Sequence, residues 1–168
     1  MTSDPEFQPD LLLAALAAGA VDFVVVGGVA VIAHGYIRTT EDLDIVYDGG
    51  YDNLDRLGAV LLDLGAALRR IDEDVPFVPD GRALRRTGIL TLTTRFGGLD
   101  LLVDPAGAPR YRELRAAAEV IDLHGTPVRI ASIGHLRAMK EAAGRPQDLT
   151  DLDALRTIQR LRAREERR

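Results

Sequence analysis

A chain of 168 residues, 46% hydrophobic and 28% charged, is long enough for one domain with a real core, and its composition excludes disordered and fibrous classes. It has no cysteine, which rules out disulfides and thiolate metal sites, and no apolar run nears the roughly 18 residues that span a bilayer. A net charge of −5 argues against a protein that coats duplex nucleic acid, although Arg156 to Arg168 forms a basic tail of six arginines and two glutamates.

Aromatic residues make up only 5%, so the core must come mainly from Leu, Val, Ile and Ala. The start is acidic and contains a proline where a secretion signal would be basic, which makes the cytoplasm the expected location. Residues 3–7 carry no functional expectation. Asp10 to Ala18 is predicted as a short helix stopped by Gly19. Phe23 to Val26 is a continuous apolar run suited to a strand buried on both faces, and Gly27-Gly28 breaks it. Val29 to His34 is predicted as a short helix ended by Gly35. Residues 43–47 form a second strand with Asp42 at its entrance, closed by the turn Asp48-Gly49-Gly50.

Leu54, Leu57, Leu61 and Leu64 recur at helical spacing, so 51–64 is predicted as an amphipathic helix. The Asp-, Pro- and Gly-rich stretch 72–88 is expected to be a long loop. Ile89 to Arg95 and Leu99 to Val103 flank Gly97-Gly98 as a hairpin, and Val120 to Leu123 and Val128 to Ala131 flank His-Gly-Thr-Pro as a second one. Ser132 is a candidate N-cap for a helix through Ala143 with Gly144 as its stop. Pro146 separates it from a last helix, Asp148 to Arg164. There Leu149, Leu152, Leu155, Ile158 and Leu161 recur every three residues, a row that winds around a helix turning 100° per residue. That helix is packed on two sides or offers an apolar flank to another chain. Mixed strands and helices indicate an α/β or α+β class with a small mixed sheet. Residues 1–131 are expected to form the core, and 132–168 helices completing the same domain.

The segment that carries chemistry runs from Val26-Gly27-Gly28 to Arg38-Thr39-Thr40-Glu41-Asp42-Leu43-Asp44-Ile45. Strand side chains alternate faces, so Asp42 and Asp44 project the same way, and two such carboxylates repel each other. A divalent cation with oxygen ligands is the usual reason to keep them together, magnesium between carboxylates and phosphates above all. The bland alternative is a pair of solvated acids on an exposed strand. The glycine pair follows a buried strand and opens a helix, so its backbone N–H groups can face an anion at close range; the alternative is a plain tight turn. Asp100 is a lone acid in an apolar strand and needs a cationic partner if buried. Asp104, before Pro105, competes with it but more simply ends the strand. Lys140 is the only lysine among twenty-one basic side chains.

Gly27-Gly28, the Arg38-x-Thr40-x-Asp42-x-Asp44 run and Asp100 resemble the polymerase-β-type nucleotidyltransferase superfamily. His34-Gly35, Arg38, Thr40 and the later Lys140-x-x-Ala-x-Arg145-x-x-Asp148 look like the AbiEii-type toxins, in particular the mycobacterial Men-type nucleotidyltransferase toxins. The resemblance spans Val24 to Leu152. It implies a nucleotidyltransferase fold, a small mixed sheet flanked by helices, with the C-terminal helices completing the nucleotide site. It further implies magnesium, or manganese in its place, on Asp42, Asp44 and Asp100, with Asp100 also a base toward the incoming hydroxyl. Gly27 and Gly28 would cradle the triphosphate and Lys140 neutralise it. Asp148 would orient Lys140 or touch the nucleotide, against the alternative of an N-cap, and Asp151 one turn on could substitute for it.

The implied partners are an NTP, CTP or another pyrimidine triphosphate, and a tRNA acceptor whose 3′ end is extended so that translation stops. A cognate antitoxin would phosphorylate Thr40, whose simpler role is a hydroxyl cap; no membrane is implied. Arg38 would reach phosphate or RNA, or remain a solvated loop charge. His34 and His135 are expected to be packing or surface residues, and the Arg-rich tail a solvated helix end or an RNA contact. Competing expectations are transfer to an antibiotic or a protein hydroxyl, and a nucleotide-binding module without activity.

Overall fold

The structure is a computed structural model and describes residues 4–69, 76–86 and 88–168. In chain order the elements are α1 (Pro9–Ala18), β1 (Phe23–Val26), α2 (Gly27–Ala33), β2 (Asp42–Tyr47), α3 (Tyr51–Asp63), β3 (Ala67–Leu68), α4 (Gly81–Arg86), β4 (Ile89–Thr94), β5 (Gly97–Leu102), α5 (Tyr111–Ala117), β6 (Glu119–Leu123), β7 (Thr126–Ile130), α6 (Ile133–Ala143) and α7 (Pro146–Glu165). One mixed sheet of seven strands runs in the order β3-β4-β5-β2-β1-β7-β6. β1 pairs antiparallel with β2 and parallel with β7, while β2 pairs parallel with β5. Helices flank this sheet, as the mixed α/β class requires.

The period of two explains the centre of the sheet. Leu43 and Ile45 on β2 and Leu99 and Leu101 on β5 are fully buried on one face. Each such side chain contributes roughly 1.5–3 kcal/mol by leaving water. The alternate positions, Asp42, Asp44 and Asp100, are half-buried on the other face. β1 has no polar alternation, because all four of its residues are buried.

Several expectations shift by a residue or two. The glycine pair ends β1 as expected and is itself the first turn of α2, and β2 begins at Asp42, one residue before its expected start. The turn of the first hairpin is Arg95-Phe96, so Gly97 and Gly98 open β5. In the second hairpin the turn tightens to His124-Gly125, both at positive φ. α6 matches its expected caps: Ser132 accepts a hydrogen bond from the His135 amide at 3.2 Å, and Gly144 ends the helix at φ 64°, a conformation glycine adopts without strain.

The stretch expected as a loop at 72–88 lies partly outside the described residues, but Gly81–Arg86 within it is a helix. Asp80 caps it by accepting from the Ala83 amide at 2.8 Å, and Leu84 anchors it in the core. β3 and α5 had no expected counterpart. The leucine row of α7 resolves into one packed side, Leu152, Leu155 and Ile158, while Leu149 and Leu161 stay 57% and 53% exposed. Phe7, given no role from sequence, packs against the core. Among the described residues no helix is long and apolar enough to cross a membrane.

Candidate active site

The parallel pairing of β2 with β5 sets Asp44 directly opposite Asp100 and Asp42 opposite Gly98. Strand alternation then gives all three carboxylates one face, and each offers an oxygen within 4.8 Å of the others. Asp104 stands outside this cluster, exposed at φ 46° where β5 has ended. Burial and the neighbouring charges of Asp42 and Asp100 push the Asp44 carboxyl up from 3.8 to about 7. A hard divalent cation is the chemical answer to such an oxygen-only donor set, and the three residues fit one.

The glycine turn abuts the same carboxylates. Gly27 has φ +66°, and a Cβ there would collide with the Asp44 carboxylate. A Cβ on Gly28 would stand 2.7 Å from Thr40 Oγ1 and 2.9 Å from Arg38 Nη2. The backbone cradle therefore stays open only as glycine. Thr40 itself donates weakly, at 3.4 Å, to the Asp42 carbonyl.

A second cluster closes the other side. Lys140, 7% exposed on α6, pairs with Asp148 Oδ1 at 3.0 Å and Asp151 Oδ2 at 2.8 Å, both on α7. Arg38 Nη2 donates to Asp151 Oδ2 at 2.9 Å, and its Nε lies 2.9 Å from Oδ1 as an ion pair, so it is not a solvated loop charge. Asp148 bonds Lys140, and it is not the N-cap weighed for it: Arg145 holds that position, and Asp148, at the third helical residue, accepts from the Arg145 amide at 3.1 Å as part of a capping box. Burial alone would raise its carboxyl, but the bonds from Arg145 and Lys140 outweigh that and hold it below the usual carboxylate range. Asp148 and Asp151 are 1% and 0% exposed, so this network is pinned, not solvated.

The three carboxylates and, of the second cluster, Arg38, Lys140 and Asp148 line one cleft of about 490 Å³, together with Gly27, Gly28, Thr40, Gln147 and an apolar wall of Leu136, Met139, Pro105 and Ala106. His34 lies apart from it, buried: Nε2 bonds the Ala131 carbonyl at 2.8 Å and Nδ1 faces Arg162 at 3.1 Å, an arrangement that requires the Nε2–H tautomer. His135 is half-buried. Arg162 of the basic tail is committed to Glu119 as well.

Sequence reasoning missed Arg69. It reaches Asp42 Oδ2 with Nη1 at 3.4 Å and Asp100 Oδ1 with Nη2 at 3.8 Å, and donates to the Leu92 carbonyl at 2.8 Å. The signal that points to it is the register: Gly98 faces Asp42 across the sheet, and a Cβ there would overlap the Arg69 guanidinium.

No known family's sequence profile matches the chain, and no curated protein matches it. Solved structures do. The lincosamide antibiotic adenylyltransferase LnuA, lincomycin-bound, superposes with a TM-score of 0.62 at 16% identity, over 92% of this chain and 99% of that one. An antigenic nucleotidyltransferase-like protein from Paracoccidioides brasiliensis gives 0.57 at 20% identity, over 90% of this chain and 73% of that one. ANT(2'')-Ia in complex with adenylyl-2''-tobramycin gives 0.54 at 21% identity, over 90% and 91%. Identities this low speak for architecture alone: the chain has the fold of the nucleotidyltransferases.

Proposed function

We propose that the chain moves a nucleoside monophosphate from an NTP to a hydroxyl acceptor at the cleft between the glycine turn and α6. The observation that carries this reading is the register of β2 on β5, which gathers Asp42, Asp44 and Asp100 on one face beside Gly27 and Gly28. Asp42, Asp44 and Asp100 hold the metal, magnesium or manganese. A divalent ion bound there would supply charge neutralisation on the triphosphate. Gly27 and Gly28 approach the phosphates with backbone amides, and Arg38 and Thr40 stand beside them. Asp100 takes the proton of the acceptor hydroxyl; the acceptor oxygen bonds the α-phosphorus, the bond from the α-phosphorus to the α–β bridging oxygen breaks, and pyrophosphate leaves.

Lys140, held by Asp148, meets the charge that develops on the leaving phosphates. In this reading residues 1–131 form the core, and α6 and α7 complete the same domain and its nucleotide site; Lys140, Arg145, Gln147 and Asp148 line the one cleft.

The acceptor we infer is the 3′ end of tRNA, with CTP or another pyrimidine triphosphate as donor, in a cytoplasmic bacterial toxin of a toxin–antitoxin pair. Its support is the Arg38-to-Asp44 and Lys140-to-Asp148 motifs. An antitoxin that phosphorylates Thr40 would silence the enzyme, because a phosphoryl group there adds about two negative charges beside Gly28 and Asp42, where metal and triphosphate belong. A second reading, transfer to an antibiotic hydroxyl, is favoured by the likeness to LnuA and ANT(2'')-Ia.

The test is label transfer from each of the four triphosphates to total tRNA, an aminoglycoside and a lincosamide, with Asp42→Ala and Lys140→Ala as controls. Label in tRNA that both controls abolish supports the toxin reading, and a mass shift on the drug supports the second. Metal-independent nucleotide binding without transfer to any acceptor refutes both and leaves a binding module.

A further inference from the structure

Arg69 stands beside two of the three carboxylates of the proposed metal site. Its guanidinium spans Asp42 and Asp100, the outer pair of the three carboxylates, with Nη1 3.4 Å from Asp42 Oδ2 and Nη2 3.8 Å from Asp100 Oδ1. Both carboxylates belong to the cluster that could hold a divalent cation. The arm is 15% exposed, and its fork is oriented by the 2.8 Å bond that Nη2 donates to the Leu92 carbonyl on β4. It reaches this place because β5 carries glycine at 98, opposite Asp42; any side chain there would fill the volume the guanidinium takes. The glycine gap thus brings a positive charge to the acidic cluster from the β4 side.

The two contacts are also long. Ion pairs with well-formed charge-assisted hydrogen bonds close to roughly 2.7–2.9 Å. Lys140 and Arg38 meet Asp151 at 2.8 and 2.9 Å, whereas Arg69 stays at 3.4 Å or beyond. The guanidinium therefore offsets the charge of the two carboxylates without the short bonds that would lock them.

We propose that Arg69 is the internal counter-ion of the metal site: it holds Asp42 and Asp100 together in the metal-free protein and is displaced when a divalent cation enters. This rests on the metal-site reading above. Arg69 is a positioning residue, acting through Asp42 and Asp100. Its consequence is that the nucleotide-free protein binds metal weakly, so that ion and triphosphate arrive together, the phosphates offsetting the charge of the displaced arm.

The experiment is calorimetric titration of the full chain with Mn2+ alone, at fixed ionic strength, for the parent, Arg69→Gln, Arg69→Lys and Asp44→Asn. Removing a cation a few ångströms from the incoming ion is expected to tighten Mn2+ binding roughly tenfold in Arg69→Gln. Arg69→Lys keeps the charge but lacks a fork able to span both carboxylates, and is expected to fall between. In chelator the Arg69→Gln protein should melt below the parent, and added Mn2+ should raise its melting point by more than it raises the parent's. Mn2+ affinity in Arg69→Gln equal to or weaker than the parent's overturns the proposal, and if that variant does not fold, the same result in Arg69→Lys does so. An absence of Asp44-dependent Mn2+ binding in every variant refutes the metal site itself, a different failure from parent binding that Arg69→Gln leaves unimproved.

Discussion

Asp44→Asn should stabilise the metal-free protein at alkaline pH and leave it unchanged in acid. Asp44 sits opposite Asp100 and two residues from Asp42, and its carboxyl is raised from 3.8 to about 7 by burial and by those charges. The native state thus holds a proton over a range where the unfolded chain has lost it. Stability falls as pH climbs from about 4 to about 7, and levels out above. At about 1.4 kcal/mol per pH unit, an ionised Asp44 costs on the order of 4 kcal/mol. Its partial exposure to the cleft and ordinary salt screening reduce the recoverable part to roughly 1–2 kcal/mol. Replacing the carboxylate by an amide of the same shape returns that amount at pH 8, a rise of roughly 3–6 °C in melting temperature for a chain of this size. The assay is thermal unfolding of parent and variant in chelator from pH 5 to pH 8.5. The gap should widen from pH 5 to about pH 7 and stay level above it, and Mn2+ should then reverse it by stabilising only the parent. A gap independent of pH, or a variant less stable than the parent at pH 8, refutes the argument.

Asp42→Ala should abolish transfer but, unlike Asp44→Asn, gain no stability in chelator, because it takes a partner from Arg69; a melting temperature well above the parent's contradicts this. Asp151→Asn should cost roughly 3–5 kcal/mol in urea unfolding, since it leaves Lys140 and Arg38 without their shared buried carboxylate. A loss below about 1 kcal/mol means the network is solvated in solution. Gly28→Ala should fold but bind a fluorescent NTP analogue at least tenfold more weakly, as the added methyl meets Thr40 and Arg38 where phosphate is expected; unchanged affinity moves the triphosphate elsewhere.

Alternation along β2 was enough to put Asp42 and Asp44 on one face, and the caps Ser132 and Gly144 were legible because each satisfies a local rule. Asp100 stood out as a lone acid in an apolar strand, but its distance from Asp44 depends on a parallel pairing across fifty-five intervening residues that no local pattern encodes. Arg69 left no trace for a related reason. It follows a two-residue strand too short to show a period, and its meaning appears only once Gly98 is known to face Asp42. The turn residues misled in the first hairpin: Gly97-Gly98 marks where a neighbouring group must come close, not where the chain reverses. α4 hid in a stretch whose Pro and Gly suggested a loop, because its anchor is tertiary, Leu84 in the core and its carbonyl accepting from the Tyr47 hydroxyl at 2.7 Å.

Phe7 lies tight against Gly97, and the amide of Gln8 donates to the Phe96 carbonyl at 2.9 Å. The extreme amino-terminal arm is thereby a brace on the bend from which the Asp100 strand departs. A deletion through residue 8, or a bulky fusion seated immediately before it, would loosen that bend and let the third acid drift from the other two. The placement of Asp100 is in this sense tied to a stretch of backbone far from it in sequence.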